Sequence, residues 1–311
     1  NMSPSPISTI LFTTDFSLRA KYGLLVAASL ASQFKSKLII CHIHGPLSLK
    51  EILVSQNERN GVLNEKHFTQ KELLHRSLKE LGELEIFIRR LFSHLETRTE
   101  FRESTDIGAS VNRIATKQQA DLIVFSTKVR EGDVVLGGKI IKSLKVEHPL
   151  LIIPIENRLL NEDPEQWRWQ MKQIVYVGGI STGLGGSSSH SNAKLHEQSL
   201  RKLEQWKVHA HDRVKLKVLH MAYTSNDLDS LDQDVSLLKK EHPLVDDCII
   251  LQSNSESGAL ESLANYVRQN QQVSMLALTK KKKGFLASLL HKSVTKSVVN
   301  DVNIPVLIFH Q

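Results

Sequence analysis

The residues whose types and arrangement suit chemistry lie in the loop VFSTKVREGDVVLGG, which begins at Val124. An apolar run ends there in two hydroxyl residues and a lysine, and a pair of glycines follows late in the loop. Glycine lets the backbone approach a phosphate closely, and a following helix offers free N–H groups. The loop is either a phosphate cradle or the remains of one. Its candidate binding residues are Ser126, Thr127, Lys128, Gly137 and Gly138.

A second loop offers charge alone. The run TKKKKG begins at Thr279, directly after another apolar stretch. Consecutive lysines can form an anion site in which each side chain acts as a flexible point charge. A solvated loop is the more common explanation of such a run. The candidate anion-site residues are Lys280, Lys281, Lys282, Lys283 and Lys292.

The sequence contains no nucleophile with an identifiable base and orienting group. The hydroxyls of Ser126, Thr127 and Thr279 are simply strand-end groups. His42 and His220 are interpreted as histidines that line a cleft, and His42 is kept among the candidate cofactor-binding residues. We therefore expect neither an enzyme nor a metal site.

Composition favours an ordinary globular protein. The 311 residues are 41% hydrophobic, enough for about two domains and a sizeable core. The formal charge of +7 can attract polyanions, but with only 5% aromatic residues few bases could be stacked, so we do not expect nucleic acid as the main partner. No stretch approaches the roughly 18 apolar residues of a membrane span. Two isolated cysteines suggest a reducing compartment, and we expect a cytoplasmic protein.

Strand and helix signals alternate through the first half. The strands lack polar alternation, which is typical of a parallel sheet covered by helices on both faces. The predicted strands are residues 7–14, 37–43, 97–103, 121–126 and 148–154, and the main predicted helices are 17–34, 69–96 and 108–118.

The second half repeats this pattern. QIVYVGG (173–179) matches the first strand, and VKLKVLHMA (214–222) matches the second, so His42 and His220 fall at equivalent strand ends. VSMLALT (273–279) matches the fourth strand, with Thr279 set against Thr127. The chain is therefore a tandem duplication of one α/β unit.

A short linker interrupts the repeat. Asp163 followed by Pro164 suits an N-cap with proline at the first helical position. We predict a first domain over residues 2–156, a linker helix over 157–171 and a second, degenerate domain over 172–311.

Several of these segments resemble the universal stress protein family. They are TILFTTDFS, KLIICHI, GAS…ADLIVFST and PLLIIP in the first half and HKSVTKSVVNDVNIPVLIFH in the second. The resemblance implies two tandem Rossmann-like, HUP-type α/β domains, each with a five-stranded parallel sheet of order 3-2-1-4-5 and helices on both faces. It also implies an internal pseudo-dimer that pairs the last strands of the halves, near residues 149–154 and 305–310.

The resemblance also bears on the loop. ATP-binding members of the family carry Gly-x-x-Gly, nine residues and then Gly-Ser/Thr. Ser126 and Val129 stand at the leading glycine positions here, and a β-branched residue occupies space that phosphate needs. Asp15 matches the acidic residue of the family at the base-and-ribose end. In the second half the motif is absent, with Leu278 at the leading position and Gly179 in place of the acidic residue.

These observations predict a stress-response protein that acts by binding a ligand or protein partners, without tight ATP binding. One alternative is a protein that binds ATP or AMP in its first domain, with slow ATP hydrolysis. A weaker alternative is polyanion or nucleic-acid binding through the run from Lys280 to Lys283.

Overall fold

Strands and helices alternate along the chain in the computed structural model. The structure describes residues 5–45, 70–128, 148–180, 190–210, 213–222, 235–253, 255–280 and 303–310. The strands are β1 (Thr9–Thr13), β2 (Lys37–His44), β3 (Thr97–Glu103), β4 (Leu122–Lys128), β5 (Leu150–Ile155), β6 (Gln173–Ile180), β7 (Lys215–Ala222), β8 (Asp247–Gln252), β9 (Val273–Lys280) and β10 (Val306–His310). The helices are α1 (Leu18–Phe34), α2 (Gln70–Leu91), α3 (Ile107–Lys117), α4 (His190–His209) and α5 (Glu256–Gln269).

All ten strands form one sheet, in the order β3-β2-β1-β4-β5-β10-β9-β6-β7-β8. The first five strands have the order 3-2-1-4-5, and the second five repeat it in reverse across the sheet. The predicted fold class is confirmed. The halves meet where β5 and β10 pair antiparallel, with Leu307 opposite Leu151. The other neighbouring strands are parallel.

Each face of the sheet is covered by helices from both halves. Phe12 and Val124 face the core that contains α1 and α4, whereas Leu11 and Ile123 face the core that contains α3 and α5. This division follows from the alternation of side chains along a strand. Phe34 of α1 and Trp206 of α4 lie 5.3 Å apart between ring centroids, so the first core is continuous across the two halves.

Local capping explains where α1 begins and ends. The Ser17 side chain accepts a hydrogen bond from the Ala20 N–H at the start of the helix. Lys35 takes a left-handed conformation, with φ 54°, at its end. Within the described ranges, no helix combines the length and the apolar character that crossing a membrane requires.

The linker differs from its prediction. A five-residue 3-10 helix covers Asn157–Asn161, and Asp163 begins a turn in place of a helix. Asp163 Oδ1 accepts from the Glu165 N–H, and its carbonyl accepts from the Trp167 N–H. The predicted helix over 157–171 is therefore wrong, because an aspartate before a proline serves a turn as well as an N-cap. Trp167 packs edge-on against Tyr22 of the first half, at 5.5 Å.

Candidate functional site

The carboxyl ends of three neighbouring strands meet at one edge of the first half. β1 pairs with β2 on one side and with β4 on the other, and all three run in the same direction. In open parallel sheets, ligands bind beyond these ends, where the strand order reverses. The predicted site residues of the first half follow or end these strands.

A tight turn leads from β1 into α1. The Thr14 hydroxyl accepts from the Phe16 N–H at 3.0 Å, and Asp15 Oδ1 accepts from the Ser17 N–H at 3.0 Å. Phe16 has a φ of 63°, which is unfavourable for a residue with a side chain. The Asp15 side chain is exposed. The turn therefore holds a carboxylate in solvent at the end of β1.

His42 is fixed against this turn. Its Nδ1 donates to the Thr14 carbonyl at 2.8 Å, and its ring centroid lies 4.2 Å from that of Phe16. Burial is the main cause that lowers the pKa of His42, and His44 lowers it further, while the Thr14 hydrogen bond and the carboxylate of Asp15 oppose them. The ring is therefore neutral at pH 7, with its proton on Nδ1 and Nε2 as the acceptor nitrogen.

Ser126 and Thr127 lie on opposite faces of the sheet, because successive side chains of a strand alternate. Ser126 faces α1: a Cβ placed on Gly23 would come within 2.5 Å of the Ser126 Cβ. Thr127 is buried on the other face, at 6% exposure. The two hydroxyls therefore do not share one pocket, although they are adjacent in sequence.

The remaining predicted residues are described in part or not at all. Lys128 ends β4 and Lys280 ends β9, and only their backbone is described. The other predicted residues lie outside the described residues. These are Gly137, Gly138, Lys281, Lys282, Lys283 and Lys292.

In the second half, side chains of β6, β9 and α4 form a hydrogen-bonded chain on the face of the sheet that α4 covers. Thr279 Oγ1 donates to Ser199 Oγ at 3.0 Å, so it accepts from the Tyr176 hydroxyl at 2.8 Å. The Tyr176 oxygen then accepts from His196 Nδ1 at 2.7 Å. Burial raises the pKa of Tyr176 well above its usual range, although its hydroxyl partners partly oppose this. The phenol is therefore protonated.

The Tyr176 ring extends towards the carboxyl end of β6. A Cβ on Gly178 would lie 3.0 Å from the Tyr176 Cε1 atom, so this ring occupies the space beside Gly178. The equivalent residue of the first half is Phe12, since Phe12 pairs with Val124 as Tyr176 pairs with Ala277. The sequence analysis missed this cluster, whose only signal is a tyrosine within an otherwise apolar strand.

The structure corrects the alignment of the two halves by one residue. The Ile123 N–H donates to the Pro149 carbonyl, and the Leu276 N–H donates to the Pro305 carbonyl in the same way. Three residues further on, Ser126 and Thr279 are therefore equivalent, and both face the helix that follows the first strand of their half. The sequence alignment had set Thr279 against Thr127 and Leu278 at the leading glycine position, and both assignments are wrong.

The first-half site contains two groups that can accept hydrogen bonds from a ligand. Asp15 supplies an exposed carboxylate, and His42 supplies a neutral imidazole beside the Phe16 ring. Among the described residues, no three His, Cys, Asp or Glu side chains lie close enough together to hold a metal ion. The arrangement suits recognition of a ligand that donates hydrogen bonds.

Comparison with known proteins identifies the fold. No protein-family model matches the chain, and no curated protein matches it in sequence. A universal stress protein from Archaeoglobus fulgidus matches in structure, with a TM-score of 0.61 and 11% identity over 100% of this chain and 98% of its own. A protein of unknown function from Pseudomonas aeruginosa matches with a TM-score of 0.58 and 13% identity over 98% and 92%.

A universal stress protein from Archaeoglobus fulgidus solved in complex with dAMP covers 47% of this chain and 96% of its own, with 14% identity and a TM-score of 0.32. The full-length matches show that the chain has the tandem universal stress protein fold.

Proposed function

We propose that this protein belongs to the universal stress proteins and acts in the stress response by binding a ligand or a protein partner, without catalysis and without tight ATP binding. The observation that carries the proposal is the chain from His196 through Tyr176 and Thr279 to Ser199. These side chains belong to the second half, where they fill the space between β6, β9 and α4. A ligand would have to displace buried groups that satisfy one another, which is costly.

The leading position of the phosphate loop in the first half supports the same conclusion. Ser126 directs its side chain against α1, in the space that Gly23 leaves free. Its hydroxyl therefore packs beside the second turn of α1 and not beside the free N–H groups at the start of the helix. A serine here also lacks the backbone freedom of the glycine that the ATP-binding motif carries at this position.

A second candidate function is adenine-nucleotide binding in the first half. It is favoured by the exposed Asp15 carboxylate, which the Ser17 N–H orients at the end of β1. A carboxylate in this position can accept hydrogen bonds from ribose hydroxyls. Under this alternative, Asp15 and His42 would recognise the nucleoside, and the phosphates would be held weakly.

Native mass spectrometry of the purified full chain, followed by calorimetric titration with ATP and with AMP, tests the proposal. Each titration is run with and without magnesium. We expect no co-purified nucleotide and a dissociation constant for ATP weaker than about 100 µM, above about −5.5 kcal/mol of binding free energy. A micromolar constant at one site per chain would overturn the claim of no tight ATP binding.

Three variants separate the alternatives. Asp15→Asn keeps an oxygen for the Ser17 N–H but removes the charge, and Asp15→Ala removes both. If nucleotide binds in the first half, both variants weaken binding and Lys281→Ala does not. If the lysine run binds polyanions, Lys281→Ala weakens binding, and the affinity falls steeply with salt.

A further inference from the structure

A pocket of about 360 Å³ lies between the two halves, at the opposite edge of the sheet from the strand-end site. Its walls are the amino ends of β1, β4 and β5, the carboxyl end of β10 and one side of α4. Pockets that bind small molecules span roughly 300–1,000 Å³ and often lie between domains. This inter-half pocket is lined chiefly by Ile7, Asp121, His148, Lys202, Trp206 and Phe309.

The floor of the inter-half pocket is apolar and aromatic. Trp206 of α4, Phe309 of β10 and Ile7 before β1 form it, and all three side chains are buried. Phe34 packs against Trp206, with 5.3 Å between the ring centroids. The floor is therefore held by the core of the protein, and it can take an apolar group of a ligand out of water.

Two opposite charges stand at the rim of this floor. The Lys202 ammonium lies 5.8 Å from the centroid of the Phe309 ring, within the range of a cation–π attraction. The Asp121 side chain is exposed, and its Oδ2 accepts from the N–H groups of Ser8 and Thr9 at 2.7 and 3.0 Å. In the part of the chain that the structure describes, no ion pair joins Lys202 to Asp121.

The second half shows that the fold does not require the charge of Asp121. There Ser274 Oγ accepts from the N–H groups of Lys172 and Gln173, at 2.8 and 3.1 Å, where β6 begins. Ser274 and Asp121 are equivalent, because each stands two residues before the strand residue that donates to the proline carbonyl. A serine hydroxyl therefore holds the start of the first strand as well as a carboxylate does.

Lys202 also has an uncharged counterpart. Gly23 of α1 and Ser199 of α4 each face the hydroxyl residue near the end of the fourth strand of their half. Val26 and Lys202 stand three residues further along these helices, and each lines a pocket at the amino ends of the strands. No acidic residue is among the described residues that line the pocket of Val26, which includes Trp169 of the linker. The pair of opposite charges is therefore particular to the inter-half pocket.

We propose that the inter-half pocket binds a small apolar zwitterion, of the class of α-amino acids with an apolar side chain. The Lys202 ammonium attracts the carboxylate of the ligand, and the Asp121 carboxylate attracts its ammonium group. The apolar side chain of the ligand packs on Trp206 and Phe309. A ligand with one charge alone would meet a like charge at the rim, which is unfavourable. The pocket is separate from the strand-end site, so this proposal is independent of the proposed function.

Calorimetric titration of the full chain with L-phenylalanine tests the proposal. For a ligand of this size we expect a dissociation constant of roughly 0.01 to 1 mM. Hydrocinnamate lacks the ammonium group of phenylalanine, and phenethylamine lacks its carboxylate. Each should bind at least about tenfold more weakly, because one charged hydrogen bond is lost. Absence of phenylalanine binding up to about 10 mM, or equal binding of either analogue, would overturn the proposal.

Variants of the two charged residues place the ligand in the pocket. Asp121→Ser copies Ser274, so it should keep Tm within about 2 °C of wild type and still weaken phenylalanine binding at least about tenfold. Lys202→Gln should weaken binding by a similar factor. Lys240→Gln is the matched control, since Lys240 is exposed and does not line the pocket, and it should leave binding unchanged. Phenylalanine binding that survives both Asp121→Ser and Lys202→Gln would overturn the assignment.

Discussion

The Tyr176 hydroxyl lies 2.8 Å from Thr279 Oγ1 and joins β6 to the buried end of β9. Thr279 is fully buried, and the same phenol is bonded to His196. One hydroxyl therefore bonds both the buried Thr279 and the half-buried His196, which lie on different elements. In the first half, Phe12 and Ser126 occupy the equivalent positions.

Tyr176→Phe should destabilise the protein by about 1–3 kcal/mol, because the buried Thr279 loses a hydrogen-bond partner and the half-buried His196 loses one too. Urea unfolding measures this free energy. Thr279→Val in the same background provides a double-mutant cycle, and the two losses should be less than additive. Full additivity would show that the hydroxyl pair contributes nothing.

Replacement of Phe16 separates backbone strain from ring packing. Phe16→Ala and Phe16→Gly both remove the contact with the His42 ring, but only glycine adopts a φ of 63° without a steric cost. The glycine variant should be the more stable of the two by about 1 kcal/mol. Thermal unfolding of both variants checks this, and a more stable alanine variant would contradict the assigned backbone conformation.

Stability should fall in acid through His42. Burial lowers the pKa of this ring below its ordinary value of 6.5. Below about pH 6.5 the unfolded chain binds a proton that the folded chain excludes, so the free energy of unfolding decreases as the pH falls towards the folded pKa. Above pH 6.5 both states are neutral, and the stability is fully present.

His42→Gln should therefore flatten the loss of stability between pH 7.5 and pH 5.5, while its difference from wild type at pH 8 gives the cost of the lost contacts alone. Urea unfolding at each pH gives both values. An unchanged slope in the variant would show that His42 is not the group responsible.

The alternation of strands and helices is predictable from the sequence because most strands are continuous apolar runs, and helices separate these runs. The sheet order was an expectation from the resemblance to the universal stress proteins. The relative register of the two halves was not predictable at single-residue precision. LIVFST and MLALTK match almost equally well at neighbouring offsets, since apolar side chains occupy both faces. Backbone hydrogen bonds from Ile123 and Leu276 to the prolines of the last strands decide the offset.

We predicted the site from residues that are adjacent in the sequence. In the structure, side chains come together when they lie on the same face of the sheet. Ser126 and Thr127 are adjacent in the chain and face opposite cores. Tyr176 and Thr279 are 103 residues apart and share a hydrogen bond. Polar groups that satisfy one another in a core leave no periodic pattern, so sequence inspection cannot detect them.

The antiparallel pairing of β5 with β10 has a consequence for how far the sequences of the two halves can diverge. Because the linker between Ile155 and Gln173 is short, each half meets the other at an effective concentration on the order of millimolar. Association of the halves is therefore insensitive to dilution and to the abundance of the protein. The second half can carry Gly179 where the first carries Asp15 and still cover the strand that the first half would otherwise expose. Covalent fusion separates the task of completing the sheet from the task of recognising a ligand, and it leaves one copy free to diverge.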